Sequence, residues 1–165
     1  DWSTHLIKLR DLQKETGGIT EFIPLPYVSM ESPMYKRGNS RPGPTFNEVL
    51  LMHAVSRIAL NPHIKNIQAS WVKLGKEGAL SCLNAGVNDM GGTLMNESIS
   101  RAAGSIHGQE FEANRMEEFI RNSERRPQLR NTTYEPIQSR INSEISYDLS
   151  MAYMQTFMDS AHPVV

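Results

Sequence analysis

The residues able to do chemistry gather in three short stretches and one loop. Glu21 stands just before Pro24-Leu25-Pro26, Gln68, Ser70, Trp71 and Lys73 crowd together, and Thr93, Asn96 and Glu97 follow the pair Gly91-Gly92. His107 lies in a nearby glycine-containing loop. None of these forms a nucleophile with an adjacent base. They are hydrogen-bonding groups and carboxylates, the set that grips a polar ligand. A glycine pair lets backbone come close to a ligand. A helix starting just after it would turn free N–H groups toward a carboxylate or other anion. An ordinary strand-to-helix turn capped by Asn96 or Ser98 is the alternative.

Metal chemistry has little to work with. His5, His53, His63, His107 and His162 show no repeated spacing of the kind that puts two ligands on one helix face. The sole cysteine, Cys82, sits between Leu80 and Leu83 and reads as a packed, inert thiol. One thiol cannot form an internal disulfide or ligate a four-iron cluster alone. No metal site is expected in this chain. Neither a Gly-x-x-x-x-Gly-Lys phosphate loop nor a Gly-x-Ser-x-Gly elbow occurs.

Elements must hold these residues in place. Trp2, Leu6 and Leu9 already show helical spacing, and a first helix is expected from Ser3 to Thr16, capped by Gly17-Gly18. A chain that opens inside a helix, without a start methionine, is expected to be a fragment or a processed product. Residues 19–23 read as a strand stopped by Pro24 and Pro26. Residues 27–44 read as a long loop, of the sort that is often functional. Thr45-x-x-Glu48 has capping-box spacing before a helix carrying Phe46, Leu50, Ala54 and Ile58 on one face. Asn61-Pro62 ends it. Residues 67–72 read as a second strand, with Ile67, Ala69 and Trp71 on one side and Gln68, Ser70 and Val72 on the other. A short helix over 76–85 and a third strand over 87–94 follow. Then come a short helix over 96–103, a loop over 104–110, and a helix over 112–122 facing inward with Met116, Phe119 and Ile120. Ile141, Ile145, Leu149, Tyr153 and Phe157 mark a last helix.

Strand–helix alternation makes this an α/β chain with parallel strands. Ligands in such sheets sit at the carboxyl ends of the strands, where Glu21, Gln68, Ser70, Lys73, Thr93 and Asn96 fall. These positions are polar for strands expected to be buried on both faces. A polar lumen filled by ligand accounts for them; mutual pairing with loop backbone is the competing account. About three βα units cannot close a barrel of eight strands and about 250 residues. The chain is therefore either a small open unit or the end of a longer barrel.

Composition narrows the class. The chain has 165 residues, 39% hydrophobic and 21% charged, with a formal net charge of −1. That is a globular composition, and it lacks the basic excess of a phosphate-gripping nucleic-acid binder. No apolar run approaches the ~20 residues of a membrane span. The first residues carry no secretory signal, so the cytoplasm is the expected compartment.

Glu15-Thr16-Gly17-Gly18-Ile19-Thr20-Glu21-Phe22-Ile23-Pro24-Leu25-Pro26-Tyr27 resembles a segment of the radical-SAM 8-hydroxy-5-deazariboflavin (FO) synthase family. Arg41-Pro42-Gly43-Pro44-Thr45, residues 67–75 (Ile-Gln-Ala-Ser-Trp-Val-Lys-Leu-Gly), residues 91–104 and His107-Gly108-Gln109-Glu110 continue the match in order. Arg130-Asn131-Thr132-Thr133-Tyr134 is similar to the family's usual end. The resemblance covers about residues 2–135 and is closest to the tyrosine-transferring second subunit. Radical-SAM enzymes of the futalosine route to menaquinone are relatives that share the Gln-x-Ser-Trp strand; Leu25 and residues 30–35 favour the deazaflavin branch.

The resemblance implies a radical-SAM barrel of the TIM type, of which residues 1–135 would be the C-terminal portion; residues 136–165, outside the resemblance, are expected to be a helical tail of unknown role. It implies a parent that uses a 4Fe-4S cluster and S-adenosylmethionine to move the 4-hydroxybenzyl unit of tyrosine onto 5-amino-6-(D-ribitylamino)uracil. Glu21, Gln68, Ser70, Trp71, Lys73, Thr93, Asn96, Glu97 and His107 become candidate contacts to substrates or to S-adenosylmethionine. The implied partners are those small molecules, and a missing N-terminal half-barrel or the other FO synthase subunit. The family's Cys-x-x-x-Cys-x-x-Cys cluster motif is absent from this sequence. Alone, the chain is expected to bind no cluster and turn nothing over. A non-catalytic half-barrel that binds a ligand or partner is the reading from another class.

Overall fold

A computed structural model of the chain describes residues 1–94, 96–108 and 110–137. The expected last helix lies outside them. The chain forms two compact units, Asp1–Ala113 and Asn114–Val165.

In the first unit, helix α1 (Trp2–Thr16) ends where Gly17 takes φ 64° and returns its N–H to the Gln13 carbonyl. Gln13 then pins the exit. Its side chain accepts from the Ile19 N–H at 2.7 Å and donates to the carbonyls of Ile19 and His63 at 3.0 and 3.1 Å. Strand β1 (Glu21–Phe22) follows and pairs in parallel with β2 (Asn66–Ile67), Glu21 opposite Asn66. A parallel bridge from Gln68 to Asp89 carries the ladder one segment further. Three parallel segments thus lie side by side, in the order 21–22, 66–68, 89. Their carboxyl ends share one edge. This is a small α/β arrangement with a short parallel sheet.

Helix α3 (Phe46–Leu60) returns the chain from β1 to β2 and packs on α1. Its capping box forms as the sequence requires: Thr45 Oγ1 accepts from the Glu48 N–H at 3.3 Å, and Glu48 accepts from the Thr45 N–H at 2.7 Å. That backbone bond, with the Thr45 hydroxyl, holds the Glu48 carboxyl below its ordinary value. The helix face differs from expectation. Val49, His53, Ser56 and Leu60 are buried, whereas Phe46 and Ile58 are exposed. The four-residue series 46-50-54-58 follows the apolar residues. The buried stripe admits a histidine and a serine because each bonds a carbonyl one turn back, at 2.8 and 2.5 Å. The link from α3 to β2 contains a cis Asn61–Pro62 bond.

All three strands are shorter than their sequence patterns suggest, the first being only Glu21–Phe22 of the expected 19–23. Residues 67–72 leave the sheet at Gln68, because Lys73 and Leu74 send their N–H groups back to the Ser70 carbonyl and start helix α4 (Trp71–Asn84). Gly75, at φ 70° and ψ 176°, breaks α4 into a first turn and the helix expected from residue 76. Residues 87–94 pair only at Asp89, since Gly91 turns to φ 74° and leaves the sheet direction. The long loop holds a single helical turn, α2 (Pro33–Lys36). Helix α5 (Ile99–Ala102) is shorter than the span expected over 96–103.

The core is Leu6, Leu60, Ile64, Ile67, Ala69, Cys82 and Val87, each at most 2% exposed, with Phe111 against Trp71. Full burial of one such large apolar side chain stabilises by roughly 1.5–3 kcal/mol. Arg57 ties the layers together through the Gly86 carbonyl (2.6 Å), the Lys65 carbonyl (2.7 Å) and Asn88 Oδ1 (2.6 Å).

In the second unit, helix α6 (Ala113–Asn122) leads to a turn held by Asn131, whose Oδ1 accepts from the N–H groups of Thr133 and Glu135. Met116 of α6 is buried; Phe119 and Ile120 are partly so.

Candidate functional site

The carboxyl edge of the sheet carries one polar cluster. Glu21, Gln68 and Asp89 come from three successive parallel segments, which brings their side chains into a row. With its amide nitrogen turned to the carboxylates, Gln68 donates to Asp89 Oδ1 at 3.1 Å and to Glu21 Oε2 at 3.0 Å. Turned the other way, its oxygen would face two acceptors, so the orientation follows from the hydrogen-bond chemistry. Asp89 Oδ1 also accepts from the Gly91 N–H at 2.7 Å, an Asx turn that starts the glycine pair. A Cβ on Gly91 would lie 2.9 Å from the Gln68 amide.

The remaining candidates fall around this row in different roles. Trp71 is buried; its Nε1–H donates to the Gly92 carbonyl at 3.1 Å, and its ring meets Phe111 edge-on at 5.4 Å. It pins the glycine segment from below. The Ser70 carbonyl starts α4, while the Ser70 hydroxyl makes no cap bond there. Lys73 reaches Ser100 Oγ at 3.3 Å. The Ser100 N–H donates to the Glu97 carboxylate at 2.9 and 3.1 Å. Glu97 thus occupies the start of α5 that the sequence offered to an external anion. Thr93 and Asn96 are exposed. His107 packs over the break in α4, its Nδ1 2.7 Å from where a Gly75 Cβ would stand. The structure therefore joins Glu21 with Gln68, and Lys73 with Glu97 through Ser100. It sets Trp71 and His107 as supports for glycine turns.

Asp89 is the member that sequence reasoning passed over, inside a stretch read as strand. Its signal was present: Asp two residues before Gly is an Asx-turn pattern, and Asp is depleted in strands.

Apart from this row, a hollow of about 380 Å³ lies by the amino ends of α1 and α3, lined among others by Phe22, Pro24, Tyr27, Arg41, Val49 and His53. The His53 Nδ1 stands 2.8 Å from the Val49 carbonyl and 3.7 Å from Cys82 Sγ. The Nε2 has no hydrogen-bond partner. Burial keeps this imidazole below its ordinary pKa, against the opposing pull of the Val49 and Gln68 backbone. Burial likewise pushes the Cys82 thiol up to about 11, which makes it a poor nucleophile or metal ligand. Among the described residues no group of three His, Cys, Asp or Glu side chains could hold a metal ion, and no helix is long and apolar enough to cross a membrane.

Comparison with known proteins is specific. Residues 16–143 match the family described as the CofH/MqnC C-terminal region. The chain is 49% identical over 137 residues to the 5-amino-6-(D-ribitylamino)uracil–L-tyrosine 4-hydroxyphenyl transferase of Methanopyrus kandleri, covering 83% of this chain and 37% of that protein. It is 50% identical over 135 residues to transferase 1 of the same name from Methanosarcina mazei, covering 79% of this chain and 35% of that protein. It is 50% identical over 136 residues to the FO synthase of Mycobacterium leprae, covering 81% of this chain and 15% of that protein. The chain thus spans little more than a third of these relatives at most.

Proposed function

Because the chain belongs to the family of CofH/MqnC C-terminal regions, we propose that it is the C-terminal part of an enzyme of deazaflavin biosynthesis. The parent transfers the tyrosine-derived 4-hydroxybenzyl group to 5-amino-6-(D-ribitylamino)uracil. The observation that carries this reading is the 49% identity over 137 residues to a relative named for that uracil and for tyrosine. Three parallel segments with intervening helices support membership in a larger β/α barrel of the TIM type, with the cluster of Glu21, Gln68 and Asp89 at its ligand-binding end.

The family implies a 4Fe-4S cluster and S-adenosylmethionine. The described residues do not suit the cluster, since the only cysteine is buried with a raised pKa. Its ligands belong to the rest of the parent. This chain's residues bind and orient. Gln68 and the carboxylates beside it offer hydrogen bonds at fixed positions, matched to a ring and ribityl chain rich in polar groups. Lys73 and Glu97 brace the segment that follows Gly91-Gly92.

The test is turnover by the intact parent protein, reduced and supplied with S-adenosylmethionine, tyrosine and the ribitylaminouracil. Formation of the deazaflavin product is expected. Product from a futalosine-type substrate and none from the uracil would overturn the reading.

A further inference from the structure

We propose that the hollow of about 380 Å³ beside β1 binds an aromatic α-amino acid, its ring among Trp2, Phe22 and Tyr27, its carboxylate on Arg41 and its ammonium on Glu48. The functional reading above supplies only the amino acid to try first, tyrosine. The ligand class follows from the lining of the hollow.

The walls are largely aromatic. Successive residues of a strand point to opposite faces. Glu21 accordingly joins the row at Gln68, whereas Phe22 lines the hollow, with the His5 ring 6.5 Å away. Tyr27 supplies another ring. Its hydroxyl donates to Ser32 Oγ at 2.5 Å and accepts from Ser40 Oγ at 3.4 Å, so the phenol is engaged by protein and the ring is held as a wall. Trp2 adds an indole. Ring pairs attract one another beyond what their buried area gives. The volume is at the small end of ligand pockets, which run from about 300 to 1,000 Å³.

Two side chains of opposite charge complete the lining, Arg41 and Glu48. Gly43 sets the position of the first. A Cβ there would lie 2.1 Å from the Tyr27 carbonyl oxygen, so only glycine lets this stretch close against Tyr27. The Gly43 N–H donates to Ser29 Oγ at 3.3 Å and fastens it. The two charges are loosely paired. Arg41 Nη1 stands 3.6 Å from Glu48 Oε1, beyond the roughly 2.7–2.9 Å of a charge-assisted hydrogen bond, and the Arg41 side chain is 66% exposed. Glu48 divides its oxygens. Oε2 accepts from the Thr45 N–H at 2.7 Å and from the Thr45 hydroxyl at 3.1 Å, while Oε1 meets Arg41. The hollow thus offers a planar fork of donors to a carboxylate and, beside it, a carboxylate oxygen to an ammonium. An α-amino acid carries both groups on one carbon. An aromatic acid without the amine would meet Glu48 as a like charge, and an aromatic amine would meet Arg41 in the same way.

The experiment is calorimetric titration of the intact parent protein with three probes: L-tyrosine, 3-(4-hydroxyphenyl)propanoate, which lacks the amine, and tyramine, which lacks the carboxylate. The variants are Arg41→Gln, at an exposed position, and Glu48→Gln, which keeps a side chain suited to the capping box. Both are expected to melt near wild type. Wild type should prefer tyrosine over either analogue, and each variant should bind tyrosine about tenfold more weakly. Arg41→Gln should not weaken tyramine, and Glu48→Gln should not weaken the propanoate. Equal tyrosine affinity in wild type and both variants overturns the inference, as does uniform weakening of all three probes or a wild type that binds none of them. Turnover judges the functional reading separately. Deazaflavin product formed with an unchanged KM for tyrosine in both variants sinks the site and leaves that reading standing. No product from tyrosine and the uracil, with the pattern of probe affinities intact, sinks the reading and leaves the site.

Discussion

The His107 ring occupies the space that a side chain on Gly75 would need, with Nδ1 2.7 Å from the position of the missing Cβ. Gly75 also holds φ 70° and ψ 176°, a backbone state that side-chain-bearing residues rarely adopt. Gly75→Ala therefore meets two penalties, about 1–3 kcal/mol of backbone strain and the contact with His107. Adding His107→Ala should recover the second and not the first. Urea unfolding of the intact protein measures both. Full recovery by the double variant would show that the backbone state carries no cost.

The glycine pair gives a contrast within two neighbouring positions. Gly91 has φ 74° and lies against Gln68, whereas a Cβ on Gly92 meets nothing within 4 Å. Gly91→Ala should destabilise by about 1–2 kcal/mol from the left-handed backbone and weaken ligand binding by displacing the Gln68 amide. Gly92→Ala should stay within about 0.5 kcal/mol of wild type. Thermal melts paired with ligand titration check both.

This contrast also shows what the sequence could and could not reveal. The helices α1 and α3 were legible because Gly17 and the Thr45–Glu48 box mark their ends locally. The strand ends were not. Trp71 and Val72 are strand-forming types, yet the Ser70 carbonyl draws Lys73 and Leu74 into a helix. Tertiary packing of Trp71 on Phe111 settles that choice, and no local pattern encodes it. Glu21 and Gln68 were legible as candidates because polar groups stood where buried strands should end, and the structure brings the two side chains together. Asp89 was hidden by its reading as strand, and the bond from the Trp71 indole N–H to the Gly92 carbonyl had no local signal.

His53 makes stability depend on pH. Burial lowers its pKa in the folded protein from the ordinary 6.5, so the folded state resists protonation and the unfolded state does not. Its stabilising contribution is complete above about pH 6.5 and is lost as pH falls from there through the lower folded-state value. The neighbouring Cys82 thiol, with its pKa near 11, stays neutral throughout. Urea midpoints from pH 7.5 to 5 should fall more steeply for wild type than for His53→Gln. Parallel curves would exclude His53 as the source.

Arg57 joins α3 to the two segments that lead into β2 and into the Asp89 bridge through three bonds of 2.6 to 2.7 Å. Arg57→Met keeps the aliphatic stem and removes all three. The expected loss is at least the roughly 1.5–3 kcal/mol of a single hydrogen bond to a charged group, read as a lower urea midpoint. An unchanged midpoint would mean that solvent replaces those bonds without loss.

If the row at the carboxyl edge of the sheet binds the pyrimidine substrate, affinity must depend on the Gln68 amide. Titration of the intact parent protein with 5-amino-6-(D-ribitylamino)uracil, wild type against Gln68→Ala, tests it most directly. Affinity about tenfold or more weaker is expected in the variant, with the melting temperature retained. Equal affinity in two equally folded proteins would contradict it and move the substrate away from Gln68.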